Sequence, residues 1–185
     1  MLTVMIATEN SERALVPTLA ALIPGVTAGL VREVIVCDAG SRDATAEVAD
    51  AAGCRIVVSN GSAGARLKCA AGAARAAWLL FLHPGAVPEV TWVGAAARFM
   101  QNAEQGPDDQ AAAFRRAPAM LGSTLAEVFA LLRARKIGPE QGLLIAKDFY
   151  DRLGGHPNTG DAEMDFLRRL GRRRLILLAS AVSRA

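Results

Sequence analysis

The sequence has few cysteines and no long hydrophobic run, and each of these shortages excludes a class of protein. Its three cysteines, Cys37, Cys54 and Cys69, are odd in number and follow no CxxC spacing. We therefore expect buried, reduced thiols in a cytoplasmic protein rather than a disulfide framework. The apolar runs at 76–82 and 175–182 are far shorter than the roughly 20 residues that span a bilayer, so no transmembrane helix is predicted.

The chain also lacks a strong excess of charge of either sign. Its 21 Lys and Arg against 18 Asp and Glu give a net charge of +3, which is too even for a dedicated nucleic-acid-binding protein. The first residues enter a strand-like run without the basic segment or cleavage site of a secretory signal. With 185 residues, 52% of them hydrophobic, and no internal repeat, the sequence predicts one globular domain.

Residues 33–45 predict a buried strand that ends in a carboxylate, followed by a turn and the start of a helix. The continuous apolar run before Asp38 suits a strand buried on both faces. Ligand sites in α/β sheets lie at the carboxyl ends of such strands, which makes Asp38 a candidate binding residue. The alternative is that Asp38 only ties down the turn, since Asp and Ser are common turn formers.

Strand-like and helix-like segments alternate along the chain, which is typical of an α/β fold with a mostly parallel sheet. Strands are predicted at residues 2–7, 33–38, 53–58, 78–82, 114–116, 143–146 and 175–178. Helices are predicted from near Pro17 to the Pro24-Gly25 pair, after Asp43, and at 65–76, 92–100, 123–136, 148–153 and 161–170. The first helix is expected to begin late because proline is unfavourable in a helix interior. Residues 102–110 are predicted to be a loop.

Several short motifs occur in a definite order along this pattern. They are VMIATEN at 4–10, the strand and turn at 33–45, LLFLH at 79–83, EQG at 140–142, LGGHP at 153–157 and the segment 162–170. Together they resemble the family 2 glycosyltransferases, most closely the short bacterial members without a membrane tail. The resemblance implies a single GT-A domain, a three-layer α/β/α sandwich around a mostly parallel sheet, that moves a sugar from a nucleoside diphosphate to an acceptor hydroxyl with inversion.

The resemblance also implies roles for individual residues. Residues 1–100 would form the nucleotide-binding half, in which Thr8, Asp38 and Arg66 contact a UDP- or GDP-sugar. Residues 101–185 would form the acceptor-side half, with Gln141, His156 and Asp165 near the acceptor. Glu163 falls where the family has its general base, a role that a carboxylate within hydrogen-bond reach of a hydroxyl can fill. The alternative for Glu163 is an exposed residue in the first turn of a helix.

The chain departs from the family at the metal motif. The family ends the fourth strand in an Asp that binds a divalent cation bridging the diphosphate, whereas this chain has His83-Pro84-Gly85. Gly85 supplies no oxygen ligand, so Mg²⁺ or Mn²⁺ is expected to bind weakly at most. His83 is a candidate for contacting a phosphate or a softer metal, or else a structural histidine. Candidates to replace the lost positive charge are Arg66, Lys68 and the arginines 172–174, although that run also suits a solvated helix end.

Three hypotheses follow from the sequence. The first is an inverting glycosyltransferase with a degenerate metal motif. The second is a catalytically inactive relative that binds a nucleotide, a sugar or a protein partner, which the loss of acids at Gly85 and Ala162 favours. The third, a dinucleotide-binding domain, is disfavoured because GxGxxG spacing is missing. The acceptor stays unidentified, and the sequence leaves open a homodimer and a peripheral contact with the inner membrane.

Overall fold

The computed structural model describes residues 1–106, 109–117 and 137–185. These residues contain eight strands in a single sheet with the order β3-β2-β1-β4-β7-β6-β8-β5. The strands are β1 (Leu2–Thr8), β2 (Val31–Asp38), β3 (Arg55–Val58), β4 (Trp78–Leu82), β5 (Ala86–Pro88), β6 (Ala111–Arg116), β7 (Leu143–Ala146) and β8 (Leu175–Arg184).

The first four sequential strands run parallel to one another, as the alternation predicts. In the register of β1, Thr8 lies opposite Asp38 on β2, and Ile6 lies opposite Leu82 on β4. The carboxyl ends of these strands therefore meet at one edge of the sheet. Strand β7 pairs antiparallel with β4 and β6, while β8 runs parallel to β6 and antiparallel to β5.

Helices cover both faces of the sheet and complete three layers. They are α1 (Glu12–Thr27), α2 (Thr45–Ala51), α3 (Ala63–Ala73), α4 (Trp92–Gln105), α5 (Lys147–Arg152) and α6 (Ala162–Leu170). On one face, Leu15 of α1 and Trp92 and Phe99 of α4 pack against the sheet. On the other, Leu67 of α3 and Phe166 of α6 pack against it. The predicted single-domain α/β/α sandwich with a mostly parallel sheet is confirmed.

Helix α1 is longer than the sequence suggested at both ends. It begins at Glu12 rather than near Pro17, and it continues through Pro24 to Thr27. Packing of one helix face against the core explains why the helix tolerates its prolines. Leu15, Leu22 and Gly25 are buried on that face, and Gly25 packs so closely that an added Cβ would lie 2.4 Å from the ring of Trp92. Its amino end is also tied down, because the backbone N–H of Glu12 donates to Oδ2 of Asp43 at 3.1 Å.

The second half of the chain holds the other differences. Helix α4 runs to Gln105, so residues 102–105 are helical rather than loop, because Ala103 is buried on the core-facing side. Strand β8 runs to Arg184, well past residue 178, and pairs with β5, a short strand that the sequence did not reveal. The helix predicted at 123–136 lies outside the described residues.

The cysteines differ in their surroundings. Cys37 is buried and Cys54 is partly buried, but Cys69 is exposed, so the expectation of buried thiols is wrong for Cys69. Residue 69 lies on the solvent side of α3, whose buried face carries Leu67, Ala70 and Ala71. Among the described residues no helix is long and apolar enough to cross a membrane.

Candidate active site

A cleft of about 920 Å³ lies beyond the carboxyl end of β4. Its walls come from five parts of the chain: the start of α3, the residues that follow β4, the end of β6 with the 3-10 turn at 139–141, the start of α6, and the end of β8. Its lining residues with polar side chains are Ser62, His83, Arg116, Glu140, Gln141, Thr159, Asp161, Glu163, Ser183 and Arg184. The cleft therefore contains His83, Gln141 and Glu163 of the candidates identified from sequence.

The two candidates His83 and Glu163 contact each other directly in this cleft. Nε2 of His83 lies 2.5 Å from Oε2 of Glu163, although 80 residues separate them in the chain. The hydrogen bond with Glu163 raises the pKa of His83 above its ordinary value, and it outweighs the opposing effect of burial. The pair therefore favours an imidazolium next to a carboxylate. The sequence identified both residues but not their contact.

Helix α6 holds Glu163 at the cleft because its opposite side is anchored in the core. Phe166 and Leu170 are buried against the sheet, and Glu163 lies in the first helical turn, with 21% of its side chain exposed. The loop before the helix is also fixed, since Ser62 Oγ at the start of α3 hydrogen-bonds Oδ1 of Asn158 at 2.6 Å. Glu163 is thus a partly buried residue at a cleft rather than an exposed first-turn residue.

Thr8 and Asp38 lie side by side at the ends of β1 and β2, but neither lines the cleft. Asp38 is 2% exposed, and its carboxylate accepts hydrogen bonds from Thr8 Oγ1 and from the backbone of Gly40. The backbone and hydroxyl of Ser41 also donate to it, each at 2.6 Å. Burial raises the pKa of Asp38, but the hydrogen bonds from Ser41, Thr8 and Gly40 together bring it below its ordinary value. The carboxylate thus ties down the turn in this structure.

Arg66 points into the protein rather than into the cleft. The residue is buried, and its Nη1 donates to the carbonyl of Gly61 at 2.6 Å. Its Nε is buried and has no hydrogen-bond partner among the described residues. The arginines 172–174 are also outside the cleft lining, with Arg174 paired to Asp109 at 3.1 Å. These cations are therefore not positioned to replace a metal ion in this cleft.

The three acceptor-side candidates occupy different surroundings. Gln141 lines the cleft, but its side chain donates to the carbonyl of Phe114 at 2.7 Å and accepts from the N–H of Gly138 at 3.0 Å. Asp165 lies outside the cleft lining and pairs with Arg168 at 2.7 Å. His156 is buried, so both Gln141 and His156 support the walls from within.

His156 sits among aromatic rings in the core beneath Glu163. Its ring centroid lies 4.8 Å from that of Phe81 and 4.9 Å from that of Phe166. Nδ1 of His156 lies 2.9 Å from the hydroxyl of Tyr150, which also accepts the backbone N–H of His156. Burial lowers the pKa of His156 to about 4, so the ring is neutral at physiological pH.

The residues after β4 do not fit a hard divalent cation. Gly85 has no side chain, its φ is +88°, and its carbonyl accepts the N–H of Ala185 at 2.9 Å. Its own N–H donates to Thr18 Oγ1 and to the carbonyl of Ala14, both at 2.9 Å. In the described parts of the chain, no group of three or more His, Cys, Asp or Glu side chains could hold a metal ion.

Two arginines that the sequence did not single out line the same cleft. Arg116 ends β6 and pairs with Glu140 at 2.8 Å, and Arg184 ends β8. Arg116 fell within a predicted strand, but the strand pattern did not indicate which cleft it would face. Arg184 was missed because β8 was expected to end before it.

Known structures with the same fold include several glycosyltransferases. Glucosyl-3-phosphoglycerate synthase from Mycobacterium tuberculosis, in complex with Mn²⁺, UDP and glucosyl-3-phosphoglycerate, is 21% identical, with a TM-score of 0.68 over 96% of this chain and 68% of that chain. The mannosyltransferase PcManGT from Pyrobaculum calidifontis, in complex with GDP-Man and Mn²⁺, is 17% identical, with a TM-score of 0.73 over 96% of this chain and 55% of its own. At these identities the likeness establishes the fold.

A third structure, TarS from S. aureus, is 16% identical, with a TM-score of 0.75 over 100% of this chain but only 36% of TarS. A comparison with curated proteins found no match. The sequence model of glycosyl transferase family 2, by contrast, matches residues 3–118, which include β1 to β6 and His83. The family suggested by the sequence motifs is thereby confirmed, and the chain belongs to glycosyl transferase family 2.

Proposed function

We propose that this protein transfers a sugar from a UDP- or GDP-sugar to an acceptor hydroxyl with inversion, using Glu163 as the general base. The observation that carries the proposal is the position of Glu163, in the wall of the large cleft and in contact with His83 at the end of β4. The family membership of the chain supports the reaction class. The nucleotide sugars bound by two proteins of the same fold, UDP-glucose and GDP-Man, suggest the donors to test first.

The arrangement of Glu163 suits proton abstraction. Its Oε2 is occupied by His83, whereas Oε1 has no hydrogen-bond partner in the described part of the chain. In the proposed reaction Oε1 takes the proton of the acceptor hydroxyl. The acceptor oxygen then forms a bond to the sugar C1, and the bond from C1 to the diphosphate breaks, with its electron pair leaving on the nucleoside diphosphate. Attack from the face opposite the leaving group inverts C1.

His83 acts on Glu163 as a positioning residue in this proposal. Its hydrogen bond fixes the rotamer of the glutamate and directs the second oxygen into the cleft. The same hydrogen bond favours the protonated form of His83, so the pair places a positive charge next to the proposed base. No step of the proposed reaction passes through a metal ion, because the side chains at the end of β4 do not form a set of ligands for one.

In this proposal the two halves of the chain have different roles. Residues 1–100 would bind the nucleotide and residues 101–185 would form the acceptor side. Thr8 and Asp38 would hold the nucleoside end through the turn 39–41, whose backbone amides Asp38 organises. Gln141 and His156 would shape the acceptor wall from inside the protein.

Replacing Glu163 with Gln tests the assignment. The Glu163→Gln variant keeps the shape of the side chain but cannot accept the proton, so we expect loss of UDP release from UDP-glucose, or GDP release from GDP-mannose, with donor binding retained. Asp50→Asn is the control for the loss of a carboxylate, because Asp50 is exposed on α2 and lies outside the cleft lining. Equal turnover by Glu163→Gln and the wild-type protein would contradict the assignment, and the anomeric configuration of the product by NMR tests inversion.

A second function, binding without catalysis, is favoured by two specific observations. The carboxylate of Asp38 is already saturated by four hydrogen bonds from its own turn and from Thr8, and two positions where the family has acids are Gly85 and Ala162. Calorimetry with UDP-glucose and GDP-mannose separates the two functions. Binding of a donor without turnover over a panel of acceptors would favour the inactive relative.

A further inference from the structure

We propose that Arg184, assisted by Arg116, binds the diphosphate of the donor at the end of β4 in place of a divalent cation. This inference rests on the proposed function, and it assigns metal-independent donor binding to a family 2 protein whose metal motif is absent. Neither arginine belongs to a motif of the chain identified from its sequence. Both are placed at the cleft by the last strand of the sheet and its neighbour.

Backbone pairing brings Arg184 to the former metal motif. Arg184 lies opposite Ala86 in the antiparallel register of β5 and β8, and the N–H of Ala185 donates to the carbonyl of Gly85 at 2.9 Å. A Cβ built on Gly85 would lie 3.9 Å from Cγ of Arg184. The arginine side chain therefore starts next to the position from which a metal-binding Asp would project.

Arg116 approaches the same cleft from the neighbouring strand. It lies opposite Val182 in the parallel register of β6 and β8, and Val182 and Arg184 share a face of β8 because side chains alternate along a strand. Arg116 and Arg184 thus project from the same side of the sheet. Guanidinium groups present several N–H donors in a plane and suit phosphate oxygens, which they can bind in pairs.

Arg184 lines the cleft without an anionic partner among the described residues. Glu140, Asp161 and Glu163 are the carboxylates that line it, and two of them are already paired, Glu140 with Arg116 and Glu163 with His83. Arg184 forms no ion pair or side-chain hydrogen bond to any residue that the structure describes, and its charge acts on His83 against protonation. A diphosphate would supply the anion that Arg184 lacks.

The proposed role is electrostatic and needs no proton transfer. As the bond from the sugar C1 to the diphosphate breaks, the electron pair moves onto a phosphate oxygen. A guanidinium already hydrogen-bonded to that phosphate stabilises the added charge, as a divalent cation does in other phosphate chemistry. A single arginine offers less charge than a divalent metal, so we expect modest affinity for UDP.

Calorimetry with UDP, uridine and inorganic pyrophosphate tests the site. In EDTA the wild-type protein should bind UDP, and Mn²⁺ should change the affinity by less than about threefold. Arg184→Gln should weaken UDP and pyrophosphate binding by about tenfold or more, as expected for a lost charged hydrogen bond, and leave uridine binding unchanged. Arg173→Gln is the control, an exposed arginine outside the cleft that should alter none of these affinities.

The outcomes separate this inference from the proposed function. UDP binding that requires Mn²⁺, or that Arg184→Gln leaves intact in a folded protein, would overturn the arginine site while the glycosyltransferase proposal stands. Pyrophosphate binding that depends on Arg184, together with UDP and GDP each binding no more tightly than pyrophosphate in the same assay, would retain the anion site and contradict the nucleotide-sugar proposal. Absence of binding by all three probes would overturn both. Circular dichroism of each variant establishes that it is folded.

Discussion

Gly64 of α3 faces Ala162, the first residue of α6, so closely that a Cβ on Gly64 would lie 2.4 Å from the Cβ of Ala162. The same added atom would lie 2.4 Å from the carbonyl oxygen of Pro157. No side chain fits at position 64 without moving the start of α6. Since Glu163 follows Ala162, the spacing of two helices controls the position of the proposed base.

Gly64→Ala should therefore lower both stability and activity. Overpacking of this kind costs about 1–3 kcal/mol, and relief by a shift of α6 would draw Glu163 away from His83. Urea unfolding followed by tryptophan fluorescence measures the first effect, and release of nucleotide from the donor measures the second.

Gly72→Ala provides a matched control on the same helix. A Cβ at Gly72 meets nothing within 4 Å, so this variant should be neutral or more stable by up to about 1 kcal/mol, because alanine favours a helix. Equal effects of the two substitutions would show that the contact with Ala162 does not limit the helix spacing.

The pair of His83 and Glu163 should make stability depend on pH in a defined direction. The folded-state pKa of His83 is raised above 6.5, so its contribution is complete below pH 6.5 and is lost as pH rises through the higher folded value. The His83 side chain is 41% exposed, which limits the coupling to about 1 kcal/mol or less. A double-mutant cycle of His83→Gln and Glu163→Gln, measured by urea unfolding at pH 6 and pH 9, should give the larger coupling at pH 6.

His156 should act in the opposite direction. Its folded-state pKa of about 4 lies below 6.5, so the unfolded chain takes up the proton first and stability falls as pH drops below 6.5. Between pH 7 and pH 5 this single group should cost about 2 kcal/mol. His156→Phe keeps a ring among Phe81, Tyr150 and Phe166 and should remove that loss.

The contribution of His156 is the difference in the free energy of unfolding between the wild-type protein and His156→Phe at each pH. The contributions of the other titrating groups cancel in this difference. The hydroxyl of Tyr150 would still accept the backbone N–H of residue 156. If the two proteins lost stability in parallel from pH 7 to pH 5, His156 would not be neutral in the fold.

Asp38→Asn should destabilise the protein by about 2–3 kcal/mol. Oδ2 of Asp38 accepts two backbone N–H groups, from Gly40 and Ser41, and Oδ1 accepts the hydroxyls of Thr8 and Ser41. An asparagine oxygen can replace Oδ2, but its NH2 group cannot accept from the two hydroxyls, and the negative charge that strengthens all four hydrogen bonds is lost. Asp50→Asn, at an exposed position on α2, is the control. Urea unfolding of both variants at pH 7 provides the measurement, and a loss below about 0.5 kcal/mol for Asp38→Asn would contradict the structural role.

The parts of the fold that sequence predicted well are those whose burial leaves a continuous apolar signal. Strand β4 (Trp78–Leu82) and strand β7 (Leu143–Ala146) have the predicted bounds because every residue of β4 and nearly all of β7 are buried. The bounds of helix α1 were harder to predict because Pro17 and Pro24 are unfavourable inside a helix. Packing of Leu15, Leu22 and Gly25 overrides that local preference, and local reasoning does not include the partner Trp92.

Of the candidate site residues, the sequence identified three whose side chains line the cleft, His83, Gln141 and Glu163, but not the contacts between them. Motif positions identified His83 and Glu163, yet their contact depends on how α6 lies against the sheet, which pairwise spacing does not encode. The position of Arg184 at the cleft depends on the pairing of β5 with β8. The small residues of these two strands give a weak strand pattern in the sequence. The sequence also did not reveal that Cys69 is exposed and Arg66 is buried, since tertiary packing determines which face of α3 each residue occupies.

The backbone at Gly85 disfavours a metal-binding aspartate at this position. Its φ of +88° is strained for a residue with a side chain, by about 1–2 kcal/mol, so a Gly85→Asp substitution would cost stability. The restored carboxylate would then emerge next to Arg184, which would neutralise it before a cation could bind. The backbone at residue 85 and the neighbouring Arg184 therefore both act against a metal ion at this turn.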